Sequence, residues 1–163
     1  MKLLLVALLS AMSGVGFLLS PEPISVEPVV VRDTVPNPRV VLEQSVTTYL
    51  EGRISPLAAS TDTLIEQKHW KLLIAISAIE SQFCKRKIAY NCWGIKGSNG
   101  YRQYDSYDEA IVDANALIER WQAKGKWLTP ESMLGSYVVP GSANWLYTVK
   151  SVLKELDGLV IYP

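Results

Sequence analysis

The stretch "AIESQFCKRKIAYNCWGIKG", Ala78–Gly97, decides how this chain is read. Ahead of it, Leu72, Leu73, Ile76, Ile79 and Phe83 recur at helical spacing from Trp70 to Phe83, apolar enough for a central, buried helix. Behind it, "CWGIKGSNGYRQY" carries Asn99-Gly100, a hairpin turn signal between short segments that can pair. Glu80 stands where the two meet. On a helix it shares a side with Ile76 and Phe83, and a carboxyl among such groups loses hydration and holds its proton to higher pH, as a general acid must. Alternatively it lies on the wet side of the helix end, paired with Lys85 or Arg86. Periodicity leaves both open.

Outward from this junction the signals are helical. Val41, Leu42, Val46, Tyr49 and Leu50 form a stripe over Val40 to Gly52. Ser55-Pro56 is an N-cap followed by proline at the first helical position. Ser106 and Glu109 have capping-box spacing and open a helix to about Ala123. Thr129-Pro130 starts a short helix. The last helix carries Trp145, Val149, Val152 and Leu156 on one face, with Gly158 as its stop. There is no internal repeat. The expectation is a mainly α domain with one small β-hairpin, and a cleft between the two.

Met1 to Leu19 is one lysine followed by a run of about 17 mostly apolar residues, a signal peptide or an N-terminal membrane anchor. Residues 20–39 hold five prolines and read as an extended linker, leaving 40–163 as the folded domain. The chain is therefore expected to be exported, touching membrane only through its N-terminal segment. There, an even pair as close as Cys84 and Cys92 is expected to form a disulfide. Sixteen Lys and Arg balance sixteen Asp and Glu, which argues against a nucleic-acid partner. The basic run Lys85-Arg86-Lys87 reads as a solvated loop. The only histidine, His69, reads as a surface residue at a helix start. No metal or organic cofactor is indicated, and a monomer is expected.

Three segments in order, "AIESQF", "NCWGIKG" and "YRQYDSYDEAI", resemble the glucosaminidase domains of bacterial peptidoglycan hydrolases, glycoside hydrolase family 73 of the lysozyme-like superfamily. In that family a Glu-Ser pair ends a buried helix, here Glu80-Ser81. An Asn-x-x-Gly-Ile-Lys-Gly segment enters the β-lobe, here Asn91 with Gly94-Ile95-Lys96-Gly97. An Arg-x-Tyr-x-Ser stretch precedes the next helix, here Arg102, Tyr104 and Ser106. The resemblance covers most of Leu57 to Leu156. It implies a lysozyme-like fold, peptidoglycan glycan strands as partner, Glu80 as catalytic acid, and Tyr137 lining the cleft.

The chain also departs from the family. "GIKGSNGYRQY" lacks the second acidic residue that a longer β-lobe often carries. Asp105 is the nearest substitute, with helix entry as its plainer role. With Glu80 alone, the second group of a two-carboxylate mechanism has to come from the substrate. Either the 2-acetamido group of an N-acetyl sugar assists, giving hydrolysis, or the 6-hydroxyl closes on the anomeric carbon, as in a lytic transglycosylase. The Gly-Leu-Met-Gln segment of transglycosylases is absent. A non-catalytic glycan-binding or scaffold module is the reading from another class. Trp93, Tyr101, Tyr104, Tyr107 and Tyr137 are the candidate sugar platform, with Trp93 and Tyr107 alternatively core. Ser81 either caps the helix or orients Glu80, and Asn91 is a substrate contact or a turn residue.

Overall fold

A computed structural model describes residues 37–159. The leader, the linker as far as residue 36 and the last four residues lie outside them.

The first helix, α1 (Pro38–Glu51), starts slightly before residue 40 because Asn37 caps it, accepting the Arg39 N–H at 2.9 Å, and Pro38 needs no partner at the first position. Val46, Tyr49 and Leu50 are buried, while Val41 faces solvent. Ser55 then caps a 3-10 turn (Pro56–Ser60) that leads into α2 (Thr61–Glu66).

The central helix is α3 (Trp70–Ser81). Leu73 to Ser77 are buried in succession, so it is enclosed on all sides at mid-length, and it packs most extensively on α6. It ends two residues before Phe83. Gln82, Phe83 and Cys84 all take left-handed backbone angles, φ 53°, 57° and 67°, which no helix continues. Side chains hold this turn. The Ser81 hydroxyl donates to the Cys92 carbonyl at 2.8 Å and accepts the Cys84 N–H at 3.0 Å, and Ser55 donates to the Phe83 carbonyl at 2.8 Å. The expected disulfide joins Cys84 to Cys92. By loop entropy a closure this short contributes about 2–3 kcal/mol.

The hairpin pairs β1 (Lys96–Gly97) with β2 (Gly100–Tyr101), antiparallel, with Lys96 opposite Tyr101 and Gly97 opposite Gly100. The turn is therefore Ser98-Asn99, one residue earlier than the Asn-Gly signal suggested. Gly100 follows it at φ 107°, an angle side-chain-bearing residues rarely adopt.

Helix α4 (Tyr107–Gln122) is capped by Ser106, which accepts the Glu109 N–H at 3.1 Å. The reciprocal bond runs from the Asp105 N–H to Glu109 instead of from Ser106, so the expected capping box is displaced by one residue. The short α5 (Pro130–Met133) has a complete reciprocal cap between Thr129 and Ser132. In α6 (Ala143–Leu159) the stripe of Trp145, Val149, Val152 and Leu156 is buried as expected. Gly158 does not stop α6: it lies inside the helix, and Leu159 follows in it. A glycine this near a helix end costs at most about 1 kcal/mol. The described residues thus form a mainly helical domain with one small antiparallel hairpin. Among them no helix is long and apolar enough to cross a membrane.

Candidate active site

Glu80 is the penultimate residue of α3, and its carboxylate lies between the two halves of the site. On one side the buried Trp145 of α6 donates its indole N–H to Glu80 Oε1 at 2.8 Å. On the other, Gly94 brings backbone against the carboxylate: a Cβ added there would sit 3.6 Å from Glu80 Oε2 and 3.9 Å from the Tyr101 ring. A Cβ there would make only ordinary van der Waals contact, but Gly94 has φ 64°, and that left-handed angle favours glycine.

A pocket of about 140 Å³ opens in front, walled by Glu80, Arg86, Ile88, Gly94 and Tyr101, with Ser81, Asn91 and Cys92 behind them. Glu80 as a residue presents surface to solvent, yet its head group is crowded by Trp145 and Gly94. Burial raises the Glu80 pKa above the usual carboxylate range, and the Trp145 hydrogen bond, which favours the charged form, offsets this only in part. The head group's local crowding governs its titration more than the exposure of the whole residue. Pairing with Lys85 or Arg86 does not occur: among the described residues no Lys or Arg forms an ion pair with Glu80. Lys85 donates instead to the Arg53 carbonyl.

The other candidate residues separate into scaffold and surface. Asn91 is 4% exposed and laces the β-lobe: its Oδ1 accepts the Ile95 N–H at 3.0 Å, and its Nδ2 donates to the Ile95 and Arg102 carbonyls at 2.8 and 3.0 Å. Trp93, 2% exposed, takes the core alternative, donating its indole N–H to the Leu73 carbonyl at 2.9 Å. Ser81 is buried in the turn described above. Tyr104 is buried and donates to Asp113 at 2.7 Å; Asp113 also receives Arg102 and so ties the end of the β-lobe to α4. Burial alone would raise the Asp113 pKa, but the bonds from Tyr104 and Arg102 outweigh it and hold the carboxyl below its ordinary range.

Tyr137 donates its phenol to the Trp93 carbonyl, and its ring lies 5.3 Å from Trp127 and 5.9 Å from Trp145. It therefore fixes the peptide just ahead of Gly94. Burial, then the neighbouring Glu80 charge, holds its proton well above the ordinary tyrosine range. Tyr107 packs edge-on against Tyr90. Asp105 is exposed and does not wall the Glu80 pocket. Tyr101, 48% exposed, is the one aromatic candidate that joins Glu80 in the pocket with an open ring.

Trp145 as donor to Glu80, and Arg86, Ile88 and Gly94 as walls, were not read from the sequence as site residues. Trp145 had a signal, since a buried indole N–H needs an acceptor. His69 is half-buried, not a surface residue; its Nε2 has no hydrogen-bond partner among the described residues, and burial lowers its pKa. Among the described residues no three His, Cys, Asp or Glu side chains gather as a metal site. No family model, no curated protein and no solved structure matches this chain.

Proposed function

We propose that this chain is an exported peptidoglycan hydrolase with a lysozyme-like domain, cleaving β-1,4 glycosidic bonds as an endo-β-N-acetylglucosaminidase with Glu80 as general acid. The observation that carries the reading is a lone carboxyl, biased toward its protonated form by burial and oriented by Trp145, at an open pocket between the central helix and the hairpin. The resemblance of the segments around Glu80, Gly94 and Arg102 to glucosaminidase domains supplies the substrate class.

In this mechanism Glu80 donates its proton to the glycosidic oxygen as the bond to the anomeric carbon breaks. The carbonyl oxygen of the 2-acetamido group closes on that carbon from the opposite face. Water then opens the cyclic intermediate, returning a proton to Glu80. No second protein carboxylate is required, in keeping with a pocket whose only acid among the described residues is Glu80. The same feature favours a second reading, a lytic transglycosylase, in which the sugar's 6-hydroxyl closes on the anomeric carbon and no water enters.

Purified peptidoglycan incubated with the oxidised protein, followed by mass spectrometry of the soluble fragments, tests both. Reducing N-acetylglucosamine ends, absent with Glu80→Gln, are expected. Anhydro-muramic ends would transfer the assignment to transglycosylase. Retained cleavage by Glu80→Gln would remove Glu80 from the chemistry. Binding without fragments from several wall types would make the protein a glycan-binding module.

A further inference from the structure

The pocket before Glu80 is electrically one-sided. Arg86 forms part of its wall, is exposed, and forms no ion pair among the described residues. Arg39, Arg53, Arg102 and Arg120 each have an Asp or Glu partner. A second exposed cation, Lys96, lies 5.5 Å over the ring of Tyr101, another wall residue, and it too has no ion pair among the described residues. Lys87, in the same loop as Arg86, adds charge beside Tyr107. Among the described residues the only acid in the wall is Glu80. No ion pair joins Arg86 to Glu80 among the described residues, so the guanidinium is open to a ligand.

We infer that the pocket selects glycan strands bearing carboxylates, and that Arg86 is the specificity residue that engages the carboxylate. The inference rests on the proposed function, because a peptidoglycan strand carries acidic peptides on alternate sugars whereas a homopolymer of N-acetylglucosamine carries none. A guanidinium suits such a ligand because it stays charged at all working pH values and offers paired donors matching a carboxylate.

The test measures binding of the full chain, in a Glu80→Gln background that prevents turnover, to three probes. These are soluble peptidoglycan strands with free peptide carboxylates, the same strands with those carboxylates amidated, and a hexamer of N-acetylglucosamine. The free-carboxylate strands are expected to bind about fivefold tighter than the other two, the scale of an exposed charge pair. Arg86→Gln should abolish that preference, Arg86→Lys should retain part of it, and raised salt should shrink it. Equal affinity for free and amidated strands, or an undiminished preference in Arg86→Gln, overturns the inference. Cleavage by the unmutated chain separates it from the reading beneath it. Arg86-dependent preference with no cleavage of any probe keeps the inference and sinks the hydrolase. Cleavage of free and amidated strands alike, at equal affinity, does the reverse. Binding to none of the three overturns both.

Discussion

Replacing Asn91 separates a scaffold residue from a substrate contact. Its side chain makes three hydrogen bonds to backbone groups of Ile95 and Arg102 from a site 4% exposed. At about 1 kcal/mol net for each bond, and more where a buried partner is orphaned, Asn91→Ala should cost about 3 kcal/mol, roughly a hundredfold in the folding equilibrium. With a urea slope of about 2 kcal/mol per molar, the unfolding midpoint of the oxidised protein should fall by about 1.5 M. Asn91→Asp sharpens the assay. At neutral pH it sets a carboxylate oxygen against two carbonyls that need a donor, so it should destabilise at least as much as alanine. The folded state then favours the protonated carboxyl, whose pKa is raised, and stability should recover as pH falls. An Asn91→Ala midpoint equal to the unmutated protein's, combined with loss of glycan affinity, would refute the scaffold role and return Asn91 to the substrate contacts.

Three further outcomes are expected. Trp145→Phe removes the donor that favours ionised Glu80, so the alkaline limb of the cleavage pH profile should move to higher pH; a limb that stays or moves down contradicts the geometry. Gly94→Ala meets no clash, its Cβ lying 3.6 Å from Glu80 Oε2, so its cost should be the left-handed backbone alone, about 1–2 kcal/mol by urea unfolding, and an unchanged midpoint would show that angle unnecessary. Paired substitution Cys84→Ser and Cys92→Ser should lose about 2–3 kcal/mol, as should reduction of the unmutated protein, while equal midpoints in both redox states would mean the bridge contributes nothing.

What was legible in the sequence followed from short-range rules. The stripe Trp145, Val149, Val152 and Leu156 is buried because helical spacing puts those side chains on one face, and Ser55, Ser106 and Thr129 cap because each precedes the N–H it accepts by two or three residues. The misreadings fell where a single local signal competed with its surroundings. Phe83 has the helix's spacing, but the hydrogen bonds of Ser81 and Ser55 and the bridge to Cys92 hold Gln82 to Cys84 in left-handed angles. Gly158 has the composition of a stop signal, yet its φ is not positive, so the backbone freedom that ends helices goes unused.

The candidate site was legible by position, and the roles of its side chains were not, for the same reason. Glu80 could be found because it interrupts an apolar helix end, but its titration is decided by Trp145, which lies 65 residues later in the chain. The aromatic residues near Glu80 in sequence were the natural sugar platform, yet an indole N–H or phenol that enters a core must find an acceptor, and Trp93, Tyr104 and Tyr137 each find one inside the domain. That leaves Tyr101, whose hydroxyl makes no hydrogen bond within the described residues, as the open ring at the pocket. The hairpin itself has two residues per strand, with Ser98-Asn99 as its turn, and none of Lys96 to Tyr101 is an acid. So short a hairpin leaves Gly94 and Tyr101 exposed beside Glu80, and the carboxyl that the chain buries in part still opens onto a pocket.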